Sequence, residues 1–258
     1  MSGDERENLA EGTLISHLVE LRDRLLHAVI SVAILFVPCA IFADELFTLI
    51  ATPLIDKMPQ GTSMIATSVV APFMAPLKLA LFVALFLAMP YILYQAWAFV
   101  APGLYKREKR FAIPLMLSSI LLFYGGVAFA YFVVFPLMFA FLTSTAPSGI
   151  QIMTDMANYL DFVVLLFFAF GIAFEIPVAT VLLAATGLVR VETMAKNRGY
   201  VVLGIFVVAA FLTPPDAVSQ SFMAVPMYLL YEIGIVLSRI LLKEKLARER
   251  NEEQSASS

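Results

Sequence analysis

Four stretches of this chain, at roughly residues 25–43, 75–104, 111–142 and 158–188, stay apolar for longer than a strand or an ordinary core helix requires. About 20 such residues, rising 1.5 Å each as helix, cross the roughly 30 Å of hydrocarbon in a bilayer. A fifth stretch, 200–239, is broken by Thr213-Pro214-Pro215-Asp216. It divides into a crossing of about 13 residues (200–212) and one of about 23 (217–239), the first reaching only about 20 Å. The expected fold is therefore all-α and integral to a membrane, with six transmembrane helices. Composition agrees, at 61% hydrophobic and 14% charged, where soluble domains are about half apolar.

Charge then orients the spans. Arg6, Arg22 and Arg24 precede the first; Lys106, Arg107, Lys109 and Arg110 join the second to the third; Arg190, Lys196 and Arg198 join the fourth to the fifth; Arg239 and the residues after it close the chain. Of the 17 basic residues only Lys57 and Lys78 fall on the other side. The positive-inside rule places both termini in the cytoplasm, an arrangement that needs an even number of crossings. Residues 1–24 read as a cytoplasmic amphipathic segment, 25–240 as the membrane domain and 241–258 as a polar cytoplasmic tail. No cleavable signal peptide is expected, because some two dozen polar or amphipathic residues precede the first apolar run.

Span lengths suggest a shape. Helices of about 45 Å at spans 2 and 3 must tilt, kink or project, while the short spans 5 and 6 leave a recess, so a concave, cup-like bundle is expected. Pro90, Pro114, Pro136 and Pro177 are its candidate kinks. The outer segment 44–74, with Pro53, Pro59 and Pro72, reads as structured loop and short helix capping the recess.

Within LLFFAFGIAFEIPVATVLL (165–183), Glu175 is the one ionisable side chain. A charge at mid-bilayer costs at least about 2.5 kcal/mol, and such groups usually face protein, water or a ligand. Pro177, two residues on, frees a carbonyl near Ala173. Glu175 is either a buried acid that merely bonds a neighbouring helix, or a docking point or proton site. In ISHLVELRDRLLHAVI (15–30), His17, Glu20, Arg24 and His27 share one helical stripe. Glu20 and Arg24 at i, i+4 can form an intrahelical ion pair. Glu108, set among the cations of LYKREKR (104–110), either relieves their repulsion or joins Glu20 in offering carboxylate forks to two guanidinium groups. In TPPDAVSQ (213–220), Asp216 suits a helix cap and Gln220 is polar where lipid or a partner would lie.

Catalytic constellations are missing. The two histidines lie near the N-terminus, the lone cysteine is Cys39 inside span 1, and no HExxH, GxSxG or GxxxxGK[ST] sequence occurs. An enzyme, a metal site, a cofactor and a nucleic-acid-binding role are accordingly not expected. A proton-coupled secondary transporter using Glu175 is the rival reading, and neither further intramembrane charges nor inverted repeats support it.

HLVELRDRLL (17–26), PYILYQAWAFVAPGLYKREKR (90–110), FAYFVVFP (129–136), FGIAFEIPV (170–178) and LTPPD (212–216) resemble, in order and spacing, the TatC family, core subunit of the twin-arginine protein translocase. The resemblance spans residues of about 13 to 240 and implies a receptor for signal peptides with paired arginines, exporting folded proteins across the bacterial inner membrane on the proton-motive force. It implies the single-span partners TatA and TatB, contact with membrane lipid and a homo-oligomeric receptor complex. By this resemblance Glu20 and Glu108 would meet the paired arginines, and Arg22, Phe99 and Leu104 would belong to signal recognition. Pro53 and Tyr131 would serve integrity. Glu175, Thr213 and Gln220, with Asp216 beside them, would contact the signal hairpin or partner helices. Asp23 departs from the family, which is often basic or polar at that position.

Overall fold

The computed structural model describes residues 3–55, 63–100, 109–144, 153–213 and 216–256, with side chains over 16–49, 65–100, 113–141, 144, 155–213 and 216–241. In chain order the elements are α1 (Gly3–Ile41), α2 (Ala43–Ile55), β1 (Ser63–Ile65), α3 (Ala71–Val100), α4 (Lys109–Phe129), a π-helical turn (Ala130–Val134), α5 (Phe135–Ser144), β2 (Met153–Asp155), α6 (Met156–Ala173), α7 (Ile176–Ala185), α8 (Val191–Lys196), α9 (Arg198–Leu212) and α10 (Ala217–Ala256). Five stretches are long and apolar enough to cross a bilayer: Ser16–Ile41, Ala71–Val100, Ile113–Phe141, Met156–Ala185 and Ala217–Leu241. The chain is a helical, multi-pass membrane protein. The short fifth span expected at 200–212 falls on α9, which is apolar but shorter than the other five. The amphipathic lead-in and the first apolar run form one continuous helix, α1.

The expected proline kinks take three forms. Pro90 and Pro114 lie inside α3 and α4. Ahead of Pro136 the ladder widens to a π turn, in which the Phe135 N–H donates to Ala130 O. Proline removes an i→i−4 bond and crowds the carbonyl four residues back, and a π turn relieves both. At Pro177 the helix stops and restarts: Glu175 N–H donates to Ile172 O at 2.9 Å, and α7 begins at Ile176.

The chain divides into two compact units, Met1–Thr52 with Pro72–Met116, and Pro53–Ala71 with Leu117–Ser258. In the first, buried Cys39 of α1 meets the fully buried Ala80 and Ala84 of α3, with Leu35, Phe36, Ala43 and Leu46 around them. Two alanines at i, i+4 leave a shallow stripe that lets the helices approach, and in lipid such close packing replaces the hydrophobic drive.

In the second unit the close approaches run through glycine. A Cβ on Gly126 of α4 would collide with the Phe170 carbonyl of α6, and one on Gly171 would stand 2.5 Å from the Phe123 ring. Gly234 of α10 faces Thr180 and Pro177 of α7 in the same manner, with 2.9 Å to the Thr180 side chain. Val191 and Met194 of α8 bury against Tyr231 and Ile235 of α10, and the Tyr231 hydroxyl donates to Met194 O at 2.9 Å. Arg198 closes this end with a two-nitrogen fork on Glu232, which also accepts from the Tyr228 hydroxyl.

The strands β1 and β2 pair in parallel, Ser63 opposite Met153 and Ile65 opposite Asp155. Asp155 ends β2 and caps α6. Its Oδ1 accepts from the Asn158 N–H at 2.9 Å, while Oδ2 accepts from the Thr67 hydroxyl at 2.6 Å and the Thr67 N–H at 3.1 Å. These donors, the Thr67 hydroxyl first, hold the Asp155 carboxyl down at about 2.

Two predictions follow from this packing. Gly126→Ala should lower the thermal midpoint by an overpacking cost on the order of 1–3 kcal/mol, because the Phe170 backbone cannot rotate away. Gly125→Ala, with nothing within 4 Å, is the control and should be neutral or slightly stabilising in the same melt. The stability that Asp155 contributes is fully present above an unfolded carboxyl pKa of about 3.9 and is lost as pH falls toward about 2. Exchange of the Thr67 and Asn158 amides should accelerate across that window relative to the intrinsic rate, and Asp155→Asn should abolish the acid step.

Candidate functional site

The stripe expected on α1 forms one wall of an open cleft. Ser16, Val19, Glu20, Asp23, Arg24 and His27 follow the i, i+3, i+4 spacing of a single helix face, and Tyr91, Tyr94 and Gln95 of α3 supply the opposite wall. The cleft has a volume of about 580 Å³. Arg24 lies across it: its Nε and Nη2 both donate to Glu20 Oε1, at 2.9 and 2.6 Å, and its Nη1 donates to Gln95 Oε1 at 3.3 Å. The side chains of Arg24 and Glu20 are only 26% and 35% exposed. The i, i+4 ion pair is thus formed, and it uses one of the two carboxylate oxygens.

Around this pair several other polar groups have partners. Arg22 turns to Asp23 at 2.8 Å, with its side chain 69% exposed, and does not line the cleft. His27 Nδ1 donates to Asp23 O at 2.6 Å, since a carbonyl can only accept. Phe99 stacks on His17 with ring centres 4.3 Å apart, and His17 Nδ1 lies 3.9 Å from Glu20 Oε2. Phe99 is thereby linked to Glu20 through one imidazole. Glu108 and Leu104 lie outside the described residues; Pro53 belongs to α2, and its side chain is outside them too.

Glu175 belongs to the second unit, at the turn between α6 and α7. The Ser119 side chain of α4 hydrogen-bonds its carboxyl, while Oε1 is buried with no protein partner. Thr213 is buried and its hydroxyl donates back to Ala209 O at 2.9 Å. Asp216 caps α10, accepting from the Ser219 N–H at 2.7 Å and the Val218 N–H at 3.1 Å. These bonds, Ser219 foremost, hold its carboxyl below the usual range. Gln220 is half-buried one turn further on. Tyr131 lies in the π turn, edge-on to Phe132 and Phe167 with ring centres 4.8 and 6.1 Å away.

Three cleft residues, Tyr91, Tyr94 and Gln95, escaped the reading of the sequence. Their signal was an i, i+3, i+4 polar and aromatic set within PYILYQAW, an otherwise apolar run. Ser119, buried beside Glu175, escaped likewise. Among the described residues no group of three His, Cys, Asp or Glu side chains is placed to hold a metal ion.

Residues 16–226 match the family model "Sec-independent protein translocase protein (TatC)". The chain is 53% identical over 245 residues to Sec-independent protein translocase protein TatC of Azotobacter chroococcum mcd 1, covering 95% of this chain and 93% of that one. It is 53% identical over 236 residues to the protein of the same name from Escherichia coli strain K12, covering 92% of each. A crystal structure described as the twin arginine translocase receptor TatC superposes with a TM-score of 0.78 at 39% identity, over 87% of this chain and 98% of the other.

Proposed function

The chain belongs to the TatC family of Sec-independent protein translocase proteins, and on that premise we propose that it is the receptor for twin-arginine signal peptides in the translocase. It is a membrane-embedded transport subunit rather than an enzyme. In this proposal it has six crossings with both termini in the cytoplasm, lies in the bacterial inner membrane, and passes folded precursors using the proton-motive force.

The observation that supports the reading best is the α1–α3 cleft. It is open, it sits at the end of α3 nearest the basic loop 104–110, and its Glu20 is already engaged by a guanidinium, the group the signal would bring. Glu20 and Glu108 would receive the paired arginines; Arg22, Phe99 and Leu104 would border that site. Phe99 acts here by holding His17 against Glu20.

Glu175, Thr213, Asp216 and Gln220 would meet single-span partners TatA and TatB or the apolar signal hairpin, within an assembly holding several copies of this chain. The orphaned Oε1 of Glu175 supports this: a buried oxygen without a partner is costly, and a donor on an arriving helix would satisfy it. Pro53 and Tyr131 would keep the fold intact.

Binding of a fluorescent signal peptide to the detergent-solubilised protein tests the receptor reading. The Arg-Arg peptide should bind tighter than a Lys-Lys version by about 1.5–3 kcal/mol, and Glu20→Gln and Glu108→Gln should each erase much of that difference. Equal binding of both peptides, unaffected by either substitution, would overturn it. For the membrane site, Glu175→Ala and Glu175→Gln should both slow export of a folded reporter; unimpaired export by the two variants refutes a docking role.

A further inference from the structure

We infer that Arg24 sets the arginine selectivity of this cleft, as a resident guanidinium that an incoming one must displace from Glu20. The inference rests on the reading of Glu20 as the carboxylate that receives a signal-peptide arginine.

The geometry carries it in three steps. First, both contacts of Arg24 converge on Oε1 of Glu20, at 2.9 Å from Nε and 2.6 Å from Nη2, so Oε2 is left without an arginine contact, its near neighbour being His17 Nδ1 at 3.9 Å. Glu20 therefore has a free edge, but its charge is already neutralised. Second, Arg24 has another seat, because Nη1 donates to Gln95 Oε1 at 3.3 Å. A small rotation about its side chain trades the carboxylate for the amide, and the guanidinium remains bonded within the cleft. Third, the other carboxylate on the wall, Asp23, is paired with Arg22 at 2.8 Å. No second free carboxylate is on the described wall to attract a cation without competition.

The competition favours one kind of guest. An ammonium is a strongly hydrated point charge, and approaching a carboxylate that a cation already neutralises gains it little against the cost of dehydration. A guanidinium is planar, more weakly hydrated and forked, so it can dock on Oε2 and take over Oε1 as Arg24 withdraws to Gln95. Neutralisation by Arg24 thus penalises lysine more than arginine. The cleft rejects lysine through a charge of its own, beside the preference that the carboxylate supplies.

The test measures affinities of Arg-Arg and Lys-Lys signal peptides for the full chain in detergent, for wild type, Arg24→Gln, Gln95→Leu and Glu20→Gln, each with a thermal melt as a check on folding. Arg24→Gln should tighten the Lys-Lys peptide by about tenfold and change the Arg-Arg peptide by less than about threefold, narrowing the ratio. Gln95→Leu removes the second seat, and should weaken the Arg-Arg peptide by about fivefold while leaving the Lys-Lys peptide nearly unchanged. Equal weakening of both peptides by Arg24→Gln would mean that Arg24 only supports the fold of the cleft, and the inference would be lost. It would be lost equally if Gln95→Leu altered neither affinity. Wild type showing no preference, with Glu20→Gln inert, would instead remove the receptor reading beneath it.

Discussion

Hydrocarbon offers no water to a stray N–H or C=O, so every interruption of a membrane helix must be absorbed within the protein. The fold turns on where this chain allows interruptions. Ahead of Pro136 the ladder widens by one residue into a π turn and carries on as α5. At Pro177 it breaks instead, and the residue placed at the break is Glu175, beside Ser119 of α4. Pro177 has no N–H to donate to the Ala173 carbonyl, and the same turn presents an acid with one unpartnered oxygen. The interrupted ladder and the polar side chain coincide at one turn between α6 and α7.

Between these interruptions the helices meet through small residues. Ala80 and Ala84 against Cys39, Gly126 and Gly171 against the Phe170 carbonyl and the Phe123 ring, and Gly234 against Thr180 all exchange side-chain volume for proximity. In water such contacts would add little to the burial of large apolar groups, but in lipid they are the main source of specificity, because a leucine face is equally content with acyl chains. This explains why so many large apolar side chains, Phe211 at 85% exposed and Leu121 at 74% among them, point away from the protein.

Much of the architecture was legible in hydrophobic run length alone, because crossing a bilayer imposes a length that soluble folds do not. The division of 200–239 at Thr213-Pro214-Pro215-Asp216 was legible for the same reason, and it fell between α9 and α10. The α1 half of the cleft was readable as a helical stripe. The α3 half was not, since Tyr91, Tyr94 and Gln95 gain meaning only when α3 lies against that stripe. For Glu20 the spacing left the internal ion pair and an arginine-binding fork both open. The structure contains the pair but spends a single oxygen on it. Asp155 could not be read at all, because its partner Thr67 lies 88 residues away in the sequence.

That distance also fixes when the contact arises during synthesis. Ala71–Val100 and Ile113–Phe141 both lie between Thr67 and Asp155, so the ribosome must deliver two complete spans before β1 can find β2. Until then the Thr67 donors and the β1 edge are without their partners. The Asp155 cap then does two jobs at one moment: it starts α6 and ties the new helix to a segment made long before. A chain in which only one of these two spans crossed the bilayer would leave the segments on opposite faces, so the Thr67–Asp155 contact requires an even number of crossings between them.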